Sequence, residues 1–306
     1  MTNKLVAVSC GDPNGISYEI TVKALKALPF YYRKRIILIG SKEVLLKANF
    51  KPYLCDLIDV SCGNFKVSKG KIDKNAGLIS FKSFQLAAKL ARDGKVSAIV
   101  TAPISKEAWL EAGINYLGHT DYFCKVLKKE PLMSFHAGDI NSALITEHLP
   151  ISKVSSALSI EKIKRKVLLF NSILKRLKLK GEILISALNP HCGENGKIGW
   201  EEERIIKPAI RLLKNKMRIS GPYNSDDIFK KYFSQKAAGM IFIYHDQLLG
   251  ILKNIVNPFE ITHITWGLDF VRTSPTHGTA FDIAWQNKAD HLGMYNSIIK
   301  AFELNS

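Results

Sequence analysis

Three histidines stand directly after apolar runs in this sequence. The runs are apolar and largely β-branched or aromatic, which is typical of strands buried on both faces. The histidines that follow them are His148, His191 and His245. Because ligands of open α/β sheets bind outside the carboxyl ends of the strands, we expect the three imidazoles to meet at one rim. Three imidazoles with an open coordination position would suit zinc, manganese or cobalt acting as a Lewis acid on a substrate oxygen.

A strand-end histidine also has an ordinary structural explanation. The three residues lie far apart in the chain, so no local ligand motif such as H-E-x-x-H supports them. Each imidazole could instead be a hydrogen-bonded structural group. The pattern by itself leaves both interpretations open.

The dipeptide His119-Thr120 is a second candidate site, because it opens a predicted helix that runs to about Lys128. The first turn of a helix has free backbone N–H groups, and these two side chains add further donors. The sequence therefore predicts an anion pocket here, with a simple helix cap as the alternative. The turn 11–15 after the first predicted strand also frees N–H groups, but it lacks the G-x-G-x-x-G dinucleotide fingerprint.

Strands and helices alternate through most of the chain, without repeats, low-complexity tracts or flexible linkers, which predicts a mostly parallel α/β architecture. Pro208 is expected to end or kink a helix that begins at about Gly199. The segment 276–284 is expected to enter a helix, and a last helix is predicted from about Ala289 to Phe302.

Composition excludes several classes of protein. The 306 residues are 46% hydrophobic and 23% charged, as in ordinary soluble domains. No apolar stretch approaches the roughly 20 residues of a membrane span, and nothing resembles a signal peptide, so we expect a cytoplasmic protein. The five cysteines include no C-x-x-C pair, which argues against a disulfide framework or a zinc ribbon.

The formal charge of +17 raises the possibility of nucleic-acid binding. The basic residues are scattered, however, and the densest run, 161–180, has its apolar residues at helical spacing. Its lysines and arginines therefore occupy the solvent face of an amphipathic helix. We expect no nucleic-acid or membrane partner, and a positive field of this kind favours small anionic substrates.

Eight motifs, distributed in order over nearly the whole chain, together resemble the 4-hydroxythreonine-4-phosphate dehydrogenases. They are 11–15, 101–106, 118–120, 147–150, 188–194, 244–247, 272–274 and 277–280. The resemblance implies an NAD-dependent, metal-requiring homodimer in the synthesis of pyridoxal phosphate, or vitamin B6. It also implies an isocitrate/isopropylmalate dehydrogenase-like fold with two α/β/α domains around a cleft. We expect the first domain at 1–130 plus 255–306 and the second at 131–254.

The same resemblance assigns roles to individual residues. His148, His191 and His245 would hold the metal, shared between two subunits, and we expect His245 to be the ligand contributed across the interface. The substrate would be bound by His119, Thr120, Lys253, His263 and Arg272. Of these, His263 stands where the family has asparagine. The candidates for proton transfer are Asp246, Asp226 and Lys106, with a turn or helix cap as the alternative for the two aspartates.

The resemblance also implies a cofactor loop at His277, Gly278, Thr279 and Asp282. Asp282 would contact the adenosine ribose and favour NAD over NADP, because a carboxylate repels a 2′-phosphate, although it could equally be a helix cap. NADP therefore remains possible, and the metal could be Zn, Mg, Mn or Co.

The implied reaction is oxidation of 4-phosphohydroxy-L-threonine to a β-keto acid, which loses carbon dioxide to give 3-amino-2-oxopropyl phosphate. Departures from the family pattern at 17–18, 249–250, His263 and Asp269 leave the exact substrate open. The alternatives are a dehydrogenase of a related phosphorylated hydroxy acid, and a metal-dependent lyase or hydrolase that uses no NAD.

Overall fold

The computed structural model describes residues 4–60, 63 and 65–305. Strands are distributed along all of this part of the chain. They are β1 Val6–Ser9, β2 Ile36–Gly40, β3 Asp56–Asp59, β4 Ala98–Thr101, β5 Leu132–Ala137, β6 Ile140–Leu144, β7 Ile183–Ser186, β8 Ile219–Tyr223, β9 Gly239–Phe242, β10 Thr262–Trp266 and β11 Val271–Pro275.

Helices connect most of these strands, as expected for an α/β protein. They are α1 Ser17–Ala27, α2 Phe30–Arg33, α3 Lys42–Lys47, α4 Lys74–Arg92, α5 Lys106–Glu111, α6 His119–Leu127, α7 Ile160–Arg176, α8 Lys207–Lys214, α9 Ser225–Gln235, α10 His245–Ile255 and α11 Leu292–Glu303. None of the helices in the described residues is both long enough and apolar enough to cross a membrane.

The chain divides into two compact units. Unit 1 comprises Met1–Pro131 and Pro258–Ser306, and unit 2 comprises Leu132–Asn257. In unit 1 the strand order is β3-β2-β1-β4-β11-β10, and all neighbours are parallel except the antiparallel pair β10 and β11. In unit 2 the order is β5-β6-β9-β7-β8, with only β5 and β6 antiparallel. The α/β prediction is confirmed.

An aromatic cluster in unit 1 holds the start of α6 in place. Trp109, Phe84 and Phe123 are completely buried, and the Trp109 indole donates to Ser80 Oγ at 2.8 Å. The ring of His119 packs edge-on against Phe84 at a centroid distance of 4.5 Å and against Trp109 at 5.5 Å. This packing fixes the orientation of the His119 imidazole before any ligand binds.

The three histidines that follow apolar runs belong to adjacent strands of unit 2. Strand β9 pairs in parallel with β6 on one side and with β7 on the other. Parallel neighbours end at the same edge of a sheet, so His148, His191 and His245 all follow strands that end at one edge. The apolar runs are β-strands because their side chains are buried on both faces of this sheet.

Two predicted elements differ from the structure. The π-helical turn Glu202–Ile206 leads directly into α8 without a break, so Pro208, which lacks an N–H, lies just after the junction of π-helix and α-helix. The segment after His277 forms only the short 3₁₀ turn Phe281–Ile283. A continuous helix is prevented there because Ala280, Trp285 and Asn287 have positive φ.

Candidate active site

The side chain of Arg272 is buried in unit 1, and none of its hydrogen-bond partners among the described residues is a carboxylate. It is only 4% exposed, and its guanidinium donates to Thr101 Oγ1 from Nη2 at 2.8 Å and from Nε at 3.1 Å. A further bond runs from Nη1 to Thr265 Oγ1 at 3.0 Å. Burial lowers the pKa of Arg272 to about 9, since desolvation disfavours the charged form. A buried cation with neutral partners is costly, and a bound anion would offset that cost.

Two imidazoles accept hydrogen bonds from the same guanidinium. Nη2 of Arg272 lies 3.1 Å from His119 Nδ1, and Nη1 lies 3.3 Å from His263 Nδ1, which Ser274 Oγ also contacts at 3.3 Å. Because arginine only donates, both Nδ1 atoms accept, so each neutral ring carries its proton on Nε2. Burial, the charge of Arg272, His263 and the charge of Lys106 hold the pKa of His119 well below its usual value. His119 is therefore a neutral N–H donor.

The strand register explains why these side chains meet. In the antiparallel pair β10 and β11, Thr265 lies opposite Arg272 and His263 lies opposite Ser274. Residues two apart on a strand point to the same face, so all four side chains share one face of the sheet. Arg272 also pairs with Ile99 of β4, which places Thr101, two residues further on, on that face.

Thr101, Thr265 and Ser274 are pocket residues that the sequence analysis did not identify. The signal was present in the alternation of polar residues along Thr262–Trp266 and Val271–Pro275. It becomes informative only when the two segments are known to be antiparallel neighbours, because the register decides which polar residues face each other.

Thr120 and Lys106 lie close to this pocket. Thr120 is half-buried in the first turn of α6, directly after His119. Lys106 begins α5, its charge contributes to the lowered pKa of His119, and a Cβ added at Gly118 would lie 3.6 Å from its Cε atom. The pocket in unit 1 thus joins hydroxyl and imidazole donors to two cations, which is the chemistry that binds phosphate or carboxylate.

In unit 2, His148 and His245 form an imidazole pair with ring centroids 5.4 Å apart. His245 opens α10, and its Nδ1 lies 2.7 Å from Asp246 Oδ1, which leaves Nε2 directed away as a metal ligand would be. Glu147, immediately before His148, is held by a 3.0 Å bond from Lys166, whose side chain is completely buried. His245 lies beside His148 in the same chain, and its contribution across a subunit interface stays a prediction.

His191 belongs to a turn apart from that pair. The segment Pro190–Gly196 follows β7, and His191 has left-handed backbone angles, φ 51° and ψ 32°. Over residues 4–60, 63 and 65–305, no group of three or more His, Cys, Asp or Glu side chains is arranged to hold a metal ion. The donor chemistry of the His148 and His245 pair fits a divalent metal, but a complete ligand set needs a further contribution.

The remaining candidates of unit 2 lie on helices. Asp226 is exposed in the first turn of α9. The pKa of the Cys192 thiol is raised mainly by burial, and the negative charge of Asp226 is one of the smaller causes. Lys253 is exposed in the last turn of α10, two turns beyond His245. Asp246 is exposed and bonded to His245.

The expected cofactor loop packs against the turn after β1. Ile16 N donates to Thr279 O at 3.0 Å, and the Trp285 indole donates to Pro13 O at 2.9 Å. Gly15 permits this approach, since a Cβ there would lie 2.7 Å from Thr279 O. His277 Nδ1 lies 3.1 Å from Gly278 O, and Asp282 is exposed on the 3₁₀ turn. The two motifs therefore form one continuous surface of unit 1.

The fold and these side chains define a class of protein, an α/β protein with an anion pocket in one unit and strand-end imidazoles in the other. The solved structure of 4-hydroxythreonine-4-phosphate dehydrogenase from Klebsiella pneumoniae superimposes with a TM-score of 0.85 at 30% identity, covering 99% of this chain and 98% of that one. The architecture is thus that of the isocitrate/isopropylmalate dehydrogenase-like enzymes.

The chain belongs to the family described as pyridoxal phosphate biosynthetic protein PdxA, which matches residues 19–301. It is 36% identical to a 4-hydroxythreonine-4-phosphate dehydrogenase of Sulfurimonas denitrificans, over 99% of both chains. It is also 33% identical to the D-threonate 4-phosphate dehydrogenase of Salmonella typhimurium, over 99% of this chain and 100% of that one. The predicted family is confirmed, and its relatives are oxidoreductases.

Proposed function

We propose that this chain oxidises the secondary alcohol of 4-phosphohydroxy-L-threonine with NAD as hydride acceptor, in pyridoxal phosphate synthesis in the cytoplasm. The resulting β-keto acid would lose carbon dioxide to give 3-amino-2-oxopropyl phosphate. The observation that carries the proposal is Arg272, a buried cation with neutral partners in a pocket of N–H and O–H donors. Such a pocket supports an anionic substrate, and the dehydrogenase relatives support the reaction type.

In this mechanism the unit-1 residues bind the anionic end of the substrate. Arg272 and Lys106 supply positive charge, and His119 and Thr120 supply an N–H and an O–H donor beside it. The neutral state of His119 suits this role, because its Nε2–H can donate to an oxygen without taking up a proton. His263 would contribute a second imidazole donor, and Lys253 stays a predicted substrate-binding residue.

His148, His191 and His245 are the proposed metal ligands. A divalent ion bound there, whether Zn, Mg, Mn or Co, would stabilise negative charge on the substrate oxygen during oxidation. Asp246 holds the His245 ring through Nδ1, so its first role is to orient that ligand. Asp246, Asp226 and Lys106 are the candidates for accepting the alcohol proton.

We propose that the chain acts as a homodimer and that a metal site formed by His148, His191 and His245 is completed across the subunit interface. Support comes from the described residues of one chain, in which no three His, Cys, Asp or Glu side chains are grouped to hold a metal ion. Large apolar side chains are also exposed next to the ligands, Leu149 and Ile151 after His148 and Ile198 and Trp200 after His191. We propose that these four side chains belong to the subunit contact, because exposed apolar patches mark protein–protein interfaces.

The proposed cofactor site is the surface formed by the turn after β1 and the loop with His277, Gly278, Thr279 and Asp282. Its backbone groups and the exposed carboxylate of Asp282 are suited to the adenosine half of NAD. The preference of this site for NAD over NADP would depend on the negative charge of Asp282.

A spectrophotometric assay tests the proposal. Purified protein, NAD, a divalent metal and 4-phosphohydroxy-L-threonine should give rising absorbance at 340 nm, and chelation of the metal should stop it. A metal-dependent lyase or hydrolase would convert the substrate without reducing NAD. No reduction with this substrate or with related hydroxy-acid phosphates would exclude the dehydrogenase assignment.

A phosphorylated hydroxy acid without an amino group is the second candidate substrate. His263 accepts hydrogen bonds at Nδ1 from Arg272 and Ser274, so its remaining nitrogen is a donor. A donor at this position suits a hydroxyl oxygen better than an ammonium group. Comparing kcat/KM for 4-phosphohydroxy-L-threonine and D-threonate 4-phosphate in the same assay distinguishes the two.

A further inference from the structure

Glu202 is a completely buried carboxylate whose hydrogen-bond partners are all neutral. Its Oε1 accepts from the backbone N–H groups of Leu188 at 2.8 Å and Asn189 at 2.9 Å, and its Oε2 accepts from Asn189 Nδ2 at 2.8 Å. Burying a carboxylate without a cation costs free energy unless several donors compensate for the lost water. Here three donors from two consecutive residues do so.

Glu201 also binds Asn189, so that Glu201 and Glu202 together form a carboxylate clamp on this residue. Its Oε2 accepts from Asn189 Nδ2 at 2.8 Å, and its Oε1 accepts from Ser155 Oγ at 2.5 Å. The Asn189 amide therefore lies between two carboxylates, and both of its N–H donors are used. Gly193 allows the close approach, because a Cβ there would lie 2.7 Å from Glu202 Oε2.

The segment that begins at this clamp has an unfavourable backbone conformation. His191, Cys192, Gly193, Glu194 and Asn195 all have positive φ, between 42° and 75°. Non-glycine residues rarely adopt this region, because Cβ approaches the following carbonyl oxygen. A run of this kind persists only when its surroundings determine it, and such strain is typical of functional sites.

We propose that Glu202, assisted by Glu201, is a positioning residue that fixes the left-handed turn and thereby the direction of the His191 imidazole. This inference rests on the proposed role of His191 as a metal ligand. The two carboxylates hold Leu188 and Asn189 just before the turn, so the backbone that carries the exposed His191 side chain is positioned before metal binds. Groups that orient metal ligands in this way typically change affinity 10- to 100-fold when replaced.

Co²⁺ binding to the full-length protein, followed by visible absorption, tests this role without using turnover. Glu202→Gln keeps the size of the side chain but directs an NH₂ group at a donor of Leu188 or Asn189, so we expect roughly 10- to 100-fold weaker Co²⁺ binding and an altered spectrum. Glu203→Gln is the matched control: Glu203 is adjacent, pairs with Lys207 on the surface, and should leave binding unchanged.

His191→Ala separates this inference from the proposed function. Weaker Co²⁺ binding in both His191→Ala and Glu202→Gln supports the positioning role. Normal binding in Glu202→Gln with weak binding in His191→Ala overturns the positioning role and leaves the ligand assignment intact. Normal binding in His191→Ala overturns the ligand assignment, and the positioning role with it. If Glu202→Gln does not fold, Glu201→Gln decides: we expect several-fold weaker binding, and wild-type binding would overturn the proposal.

Discussion

The Nη2 atom of Arg272 lies 3.1 Å from Nδ1 of His119, and this contact determines what each side chain can offer a ligand. The guanidinium is a donor only, so the imidazole proton lies on Nε2. That Nε2 is buried and has no hydrogen-bond partner among the described residues. A buried positive charge and an unused N–H donor therefore lie in the same pocket, which favours an anionic ligand.

Arg272→Lys should raise KM for the substrate much more than it lowers kcat. A lysine ammonium cannot contact Thr101, Thr265 and both imidazoles at once, so the pocket loses its fixed donor geometry. We expect KM for the phosphorylated substrate to rise roughly 10- to 100-fold, corresponding to about 1.5–3 kcal/mol. Steady-state kinetics at 340 nm measure this, with Arg211→Lys on the exposed face of α8 as the control. A KM within twofold of the wild type would contradict the assignment of the pocket.

The pH dependence of kcat/KM should follow the ionisation of Arg272. Burial lowers the pKa of Arg272 to about 9, so the free enzyme carries this charge below pH 9 and loses it above. Because kcat/KM follows the ionisation of the free enzyme, it should fall as the pH rises through about 9. The Arg272→Lys variant should not reproduce this midpoint. A wild-type profile that stays level up to pH 10 would show that Arg272 keeps its charge over this range and that its pKa is not lowered to about 9.

Much of the fold follows directly from the sequence. The apolar runs before His148, His191 and His245 are buried parallel strands, and their order in the sheet brings the three ends to one edge, as predicted. The helix expected after His277 is absent, because three residues of positive φ interrupt it. The same loop is hydrogen-bonded to the turn after β1 through Thr279 and Trp285, and local helix propensity does not predict positive φ at Ala280 or Trp285.

The site is predictable only in part, for a physical reason. Residues such as His119 can be identified from the sequence by their chemical type and by their position at the start of a predicted helix. Thr265 and Ser274 become pocket residues through strand register, which depends on contacts distant in sequence. Similarly, nothing local links Glu202 to Asn189, thirteen residues earlier, until both are folded around the same turn.

His245→Ala should abolish metal-dependent turnover while leaving the fold largely intact. The His245 side chain is one-third exposed, so its loss creates little cavity, but it removes one imidazole of the pair with His148. Activity with added metal and Co²⁺ binding measure the effect, with circular dichroism for the fold. The control is His136→Ala, which removes a half-buried imidazole on β5 of the same unit. Retained turnover in His245→Ala would refute the proposed metal site.

Asp282→Ala should shift the cofactor preference toward NADP. The exposed carboxylate on the 3₁₀ turn would repel a 2′-phosphate by about 1 kcal/mol at contact distance in water. We therefore expect the ratio of kcat/KM for NADP to that for NAD to rise roughly fivefold. Asp93→Ala, which removes an exposed charge at the end of α4, should leave the ratio unchanged. An unchanged ratio in Asp282→Ala would remove this residue from the cofactor site.

Asp12 is a buried carboxylate whose charge should cost stability at neutral pH. Its Oδ1 accepts from Asn14 N at 2.8 Å, but its Oδ2 is buried and has no partner among the described residues. Burial raises the pKa of Asp12 to about 6, against the hydrogen bonds from Asn14 and Gly15. The folded state therefore binds a proton more tightly than the unfolded state, whose pKa is 3.8. By linkage, the contribution of this group to stability falls as the pH rises from about 4 to about 6.

Asp12→Asn removes the ion and keeps an oxygen that can accept from Asn14 N. We expect the free energy of unfolding at pH 7.5 to increase by about 1–3 kcal/mol, the value of a shift of this size, and the gain to disappear by about pH 4. Urea unfolding at both pH values measures this, with Asp56→Asn on the exposed face of β3 as the control. An equal effect at pH 4 and pH 7.5 would mean that the change acts through packing alone, because only the ionised carboxylate makes the difference depend on pH.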